Sequence, residues 1–193
     1  MARIIRNGRV VTDNWSPVDA AEGALPAALP CNLPDGDLLL PLAVWLGHRD
    51  ALIALRKKTG VRLGLRVESH DDPETFAADL GEFALIAVHF AQFTDGRGYS
   101  LARLLRERHG YRRELRAVGD VLRDNLFYLS RCGFDAFALA NAANLDTDLA
   151  SLRDFSDGYQ ASVERPQPLF RRRESGSVSP SVALDASKDA ANT

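Results

Sequence analysis

The sequence predicts an α/β fold: an open, mostly parallel five-stranded sheet with helices on both faces, preceded by an N-terminal β-hairpin. Three observations carry this expectation. Apolar strand-like runs alternate with helix-like stretches five times between Leu38 and Glu164, joined by short loops; that alternation implies parallel strands and right-handed crossovers. Asn7-Gly8 lies between Ile4-Ile5 and Val10-Val11, and Asn-Gly supplies the two positive-φ positions of a hairpin turn. The five units also fall well short of the ~250 residues of a closed eight-stranded barrel. A partial TIM-like barrel that completes itself as a homodimer is the alternative.

The elements follow in order. Pro17 to Pro34 is rich in Ala and Pro and reads as a surface loop. Leu38 to Trp45 is an apolar run that Pro41 shortens or places at an edge. A helix over Arg49–Thr59 ends at Gly60. Val61–Val67 alternates apolar and polar, a strand with one face partly wet. Asp72-Pro73 starts a helix that runs to about Leu80. Phe83–Phe90 is the most apolar strand and is placed at the centre. The remaining units are a helix from Leu101 to His109, a strand over Glu114–Val118, a helix from Val121 to Cys132 closed by Gly133, a strand over Phe134–Leu139, and a helix from Asp146 to about Glu164. Residues 1–164 thus form one domain. Residues 165–193 are a tail, basic at Arg171-Arg172-Arg173 and, past Glu174, rich in Ser, Ala and Asp and expected to be disordered.

Composition narrows the class. The chain has 193 residues, a formal net charge of -2 and a pI near 6.1, which does not point to nucleic acid. No apolar run approaches the ~20 residues that span a bilayer, and the charged start lacks the apolar segment of a secretory signal, so a cytoplasmic location is expected. Two cysteines, Cys31 and Cys132, fall short of the four thiolates of an all-cysteine iron–sulfur site. Both are read as reduced, with Cys132 packed at a helix end.

Chemistry is expected beyond the carboxyl ends of the strands, where open α/β sheets bind ligands. There the loop Phe93-Thr94-Asp95-Gly96-Arg97-Gly98-Tyr99-Ser100 precedes a helix. Gly96 and Gly98 permit unusual backbone conformations, Ser100 stands where a cap belongs, and Arg97 adds charge. With Arg123 beyond the next strand, these residues make a candidate site for a small anion. Asp95 and Asp120 end adjacent strands and are a candidate acid–base pair; the competing reading makes Asp120 the cap of the helix after it. His89, inside the central strand, is read as a hydrogen-bonded core histidine. The dinucleotide fingerprint lacks its third small residue, which is Leu101, and there is no Walker A sequence. No nucleotide, flavin, haem or iron–sulfur motif names a cofactor, and the four histidines fall in separate elements, without metal-ligand spacing.

Three strings carry a resemblance: Phe93 to Tyr111, Glu114-Leu-Arg-Ala-Val-Gly-Asp-Val-Leu-Arg-Asp, and Arg131-Cys-Gly-Phe-Asp-Ala-Phe. They resemble the bacterial family known as domain of unknown function 934, with a likeness that runs from about Arg3 to Arg173. The resemblance implies assimilatory sulfate reduction, since members are often encoded beside the sulfite reductase hemoprotein and many carry an oxidoreductase label. It implies an accessory protein that aids electron delivery to, or assembly of, sulfite reductase, with that hemoprotein as partner. It transfers no catalytic residue. The alternative is an enzyme that uses Asp95, Arg97 and Asp120 on a phosphorylated or sulfonated small molecule.

Overall fold

Asn7 (φ 50°) and Gly8 (φ 70°) both adopt the left-handed conformation that a tight hairpin turn demands. They fold β1 (Arg3–Arg6) back on β2 (Arg9–Thr12), with Ile4 opposite Val11 and Ile5 opposite Val10. The structure is a computed structural model, and it describes residues 2–18, 36–155 and 158–174. β3 (Trp15–Pro17) begins after only Asp13 and Asn14. Then come β4 (Asp37–Pro41), α1 (Leu42–Thr59), β5 (Leu63–Glu68) and β6 (Phe83–Phe90). α2 (Arg97–Arg103) continues as a π-helical turn over Leu104–Arg108, followed by β7 (Glu114–Gly119). α3 (Leu126–Arg131), β8 (Ala136–Phe137), α4 (Leu145–Ala150) and α5 (Leu169–Glu174) complete the fold.

All eight strands join one sheet in the order β2-β1-β8-β7-β6-β5-β4-β3. The fold is α/β, but the open five-stranded sheet with helices on both faces is not what forms. The five expected strands do run parallel as neighbours, β4 to β8, yet β1, β2 and β3 extend the sheet on both sides, with β1 antiparallel to β8. A doubly wound sheet needs a reversal in strand order. Here β3 to β8 lie side by side in chain order, so each right-handed crossover returns on the same face. The result is a mixed sheet curled into a half-barrel. Its edges, β2 and β3, are joined by a two-residue link, and three Cα steps of about 3.8 Å span at most roughly 11 Å.

Several element boundaries also move. Pro41 ends β4 and leads directly into α1, which starts at Leu42 rather than Arg49 and kinks at His48. Between β5 and β6 the chain forms two 3-10 turns, Pro73–Thr75 and Ala77–Glu82, not an α-helix, although Asp72 does cap the first by accepting from the Glu74 N–H at 3.0 Å. The helix expected from Asp146 to Glu164 stops at Ala150, with one 3-10 turn after it. Arg171, Arg172 and Arg173 lie in α5. Most of the Ala/Pro-rich loop, Cys31 with it, and everything past Glu174 lie outside the described residues.

The helices cover the convex face. Leu38 and Leu40 of β4, Leu65 and Val67 of β5, Ile86 and Val88 of β6, Leu115 and Ala117 of β7 and Phe137 of β8 form one buried cluster with Trp45 and Leu52 of α1, Leu101 and Leu105, and Leu126 and Leu129 of α3. Two polar ties hold the helical segments to the connections that lead into the strands. The Trp45 indole N–H and Arg49 both donate to Asp79. Arg106, 6% exposed, donates to the carbonyls of Gly133 (2.8 Å), Tyr111 (2.9 Å) and Arg113 (2.7 Å) and to the Asp135 carboxylate (2.8 Å). Burial pushes the Asp135 carboxyl above the usual range.

Paired residues on neighbouring strands point to one face, so register gives the concave face in rows. Leu39, Gly64, Leu85 and Glu114 form the first; Pro41, Arg66, Ala87, Arg116, Ala136 and Arg6 the second; Glu68, His89 and Val118 the third, nearest the carboxyl ends. Trp15 fills the first row. A Cβ on Gly64 would stand 2.9 Å from its ring, so this position needs glycine. Arg116 is 1% exposed. Its Nη1 donates to both oxygens of Asp13 (3.0 and 2.9 Å), its Nε and Nη2 to Oε1 of Glu114 (2.9 and 2.6 Å), and Arg6 reaches Oε2 of Glu114 at 3.5 Å.

Breaking a buried ion pair by removing one partner costs about 3–5 kcal/mol, because a charge is left uncompensated. Arg116→Met is therefore expected to lower the urea unfolding free energy by about that amount. Asp13→Ala will also destabilise, and the double substitution will cost less than the sum of the two. Additive losses would mean that the two side chains do not act together.

Candidate functional site at the carboxyl rim

The loop after β6 is held from both sides. On the β5 side, Ser69, 4% exposed, donates its hydroxyl to Asp95. Asp95 also accepts from Arg97 through Nε (2.9 Å), Nη2 (2.8 Å) and the backbone N–H (3.1 Å). The Arg97 guanidinium foremost, and then the Ser69 hydroxyl, hold the Asp95 carboxyl well below the usual carboxylate range. On the β7 side, Asp120 donates its N–H to the Phe90 carbonyl (2.8 Å) and accepts the Phe93 N–H on its carboxylate (2.9 Å). Asp120 therefore does not cap the following helix, which forms later. A 3-10 turn, Arg123–Asn125, begins after Leu122, and α3 only at Leu126.

The glycines and the serine of this loop have other roles than those expected. α2 begins at Arg97, with Gly96 in the cap position and no side-chain cap, so Ser100 sits within the helix. Neither Gly96 nor Gly98 has a positive φ. Gly98 is required for packing: a Cβ there would stand 2.5 Å from the Phe90 ring. Arg97 spends its charge on Asp95. Arg123 faces a separate cavity lined by Val121, Asp124, Leu139, Asn141 and Asn144. The structure therefore brings Asp95, Arg97 and Asp120 to one loop and leaves Arg123 elsewhere.

What sequence reasoning missed is one row deeper in the half-barrel. His89 Nδ1 lies 2.6 Å from Oε2 of Glu68, side by side in register on β6 and β5. Both side chains are about a third exposed, at 34% and 35%. A carboxylate on Nδ1 fixes the tautomer and leaves Nε2 as the working nitrogen. Gly119 (φ 93°) makes room for the ring: a Cβ there would stand 2.4 Å from the Phe90 carbonyl oxygen and 2.7 Å from His89 Cδ2. Arg66 sits in the row below, exposed, beside buried Ala87, with no ion-pair partner among the described residues.

The signal was present in the alternation. Arg66 and Glu68 are the polar residues of β5, two apart and so on one face, and His89 is the one polar residue of β6. Only the parallel register shows that they meet. Among the described residues, no group of three or more His, Cys, Asp or Glu side chains could hold a metal ion, and no helix is long and apolar enough to cross a membrane.

A family model described as "bacterial protein of unknown function (DUF934)" matches residues 64–170. The match takes in Arg66, Glu68, His89, the loop Asp95–Ser100 and Asp120. No curated protein matches the chain.

Two outcomes follow from this geometry. The His89 Nδ1 proton, shared with a carboxylate at 2.6 Å, should give a strongly downfield NMR resonance. Glu68→Gln should remove it without unfolding the protein; its persistence would mean a different partner. Because the folded pKa of Asp95 is depressed, its stabilisation is present above the ordinary carboxylate pKa of about 3.9 and is lost as pH falls through the folded value. Wild type should thus exceed Asp95→Asn in stability near neutral pH, and the difference should shrink toward zero in strong acid.

Proposed function

The chain belongs to the bacterial family DUF934, and on that premise we propose that it is an accessory protein of assimilatory sulfite reduction. In this reading it holds a small oxyanion on the concave face of the half-barrel, at Arg66 and His89, in the service of sulfite reductase. The pathway comes from the resemblance carried by Phe93–Tyr111 and the two strings after it. The observation that carries the site is Arg66: an exposed arginine, unpaired among the described residues, one row beneath a Glu–His pair. A guanidinium presents parallel N–H donors that match two oxygens of an oxyanion, and a protonated His89 adds a donor at Nε2. Arg97 is the weaker candidate, because an incoming anion must compete with Asp95.

A second reading, a small-molecule enzyme acting on a phosphorylated or sulfonated substrate, is favoured by the Glu68–His89 pair itself. Binding needs only the positive charge of Arg66. A histidine backed by a carboxylate is an arrangement suited to moving protons.

Calorimetric titration with sulfite, sulfate and phosphate tests the site. A charge-assisted hydrogen bond is worth about 1.5–3 kcal/mol, so Arg66→Ala should weaken binding by roughly ten- to a hundred-fold. Equal affinities would move the site away from Arg66. In the cell, a deletion strain should grow poorly on sulfate or sulfite and normally on cysteine. Normal growth on sulfate, with no redundant copy present, would reject the pathway.

A further inference from the structure

The rim holds more than an anion needs. Glu68, His89 and Gly119 come from three adjacent strands and converge on one imidazole. Glu68 engages Nδ1 at 2.6 Å, and Gly119 packs against the ring at Cδ2. Neither contact is required to bind an oxyanion, since a free lysine or arginine would do so with less preorganisation. Orientation of one ring nitrogen by a carboxylate on the other is what proton transfer requires. The pair also stands at the carboxyl ends of central parallel strands of a curled sheet, where catalytic groups of barrel folds lie.

We infer that His89 is a general acid–base residue, and that the site transfers protons on small anions whose acidic C–H lies next to a carbonyl. The inference rests on the anion site proposed above, since Arg66 supplies the charge that holds such a substrate. In the step, Nε2 of neutral His89 takes the proton: the C–H bond breaks and an N–H bond forms. The electron pair left on carbon moves into the carbonyl, and the negative charge that grows on its oxygen is held by Arg66. The imidazolium is stabilised by the Glu68 carboxylate, then returns its proton to the same or the neighbouring carbon. The net reaction is exchange or isomerisation, and it consumes no oxidant or reductant. Glu68 acts through His89 and is a positioning residue. Arg66 binds.

The full-length protein can be tested with pyruvate as probe, in deuterium oxide, by following loss of its methyl proton signal by NMR and its binding by calorimetry. The wild-type protein should accelerate exchange over buffer. General acid–base catalysis contributes on the order of a hundred-fold or more, so His89→Gln should slow exchange at least that much while pyruvate still binds. Glu68→Gln should lower kcat with KM little changed, and Arg66→Ala should raise KM and lower kcat together. Should His89→Gln fail to fold, the Glu68→Gln result decides. Binding of pyruvate without exchange, or exchange that survives His89→Gln, would overturn proton transfer and leave the anion site standing. Failure of the anion site itself shows separately, as wild-type protein that binds neither sulfite nor pyruvate, and that result overturns both.

Discussion

Arg116 carries a full positive charge at 1% exposure on the inner face of a β-sheet, and the shape of this protein follows from how that charge is answered. A lone buried guanidinium is not tolerable. Glu114, two residues away on the same strand, answers part of it. The rest comes from Asp13, 103 residues earlier, in the link that carries the chain from one edge of the sheet to the other. Asp13 can reach Arg116 only if the sheet curls and the link passes over its concave face. The ion pairs thus specify curvature and not merely stability, which is a use of buried charge that a hydrophobic replacement of similar stability would lose.

Curvature then decides where function can sit. With strands laid down in chain order, α1, α2 and α3 pack on the convex side, and the charged side chains of the central strands are left to the concave side. Trp15 over Gly64 occupies the first row, and the Arg116 cluster the β7 side of the second. On the β5 side of that second row Arg66 stays exposed, as Glu68 and His89 do in part in the third, so that all three remain reachable by solvent. The loop after β6 forms the rim above them. Asp95 and Asp120, the carboxylates that look most like catalysts in the sequence, hold this loop to β5 and β7.

Much of the strand pattern was legible. The Asn7-Gly8 hairpin, the parallel strands from β4 to β8 and the helix-ending Gly60 each follow from a local signal. The extra edge strand was not, because β3 is three residues long and ends in the proline that opens the Ala/Pro-rich loop. Strand order was not legible either. Alternation of strand and helix gives parallel pairing but does not say whether successive crossovers return on one face or two. The local geometry of the candidate loop was not legible for a related reason. Gly-x-Gly with a following serine resembles an anion loop in one dimension, but Gly98 is small because of Phe90, a contact set by packing. His89 and Glu68 are 21 residues apart, and only β5–β6 register joins them. In a sheet buried on both faces, a polar residue near the end of an otherwise apolar strand would be an anomaly. In a curled sheet whose inner face is exposed toward the carboxyl ends, it is a residue that faces solvent.

The central claim is that the inner face at the carboxyl rim, not the loop that ends in Ser100, receives the ligand. Backbone amide NMR of uniformly labelled protein titrated with sulfite tests it most directly, because each position reports separately. The account predicts that the shifts concentrate at Arg66, Glu68, His89 and Gly119, with the amides from Gly98 to Ser100 little moved. Shifts confined to Gly96 through Ser100, with His89 and Arg66 silent, would contradict it.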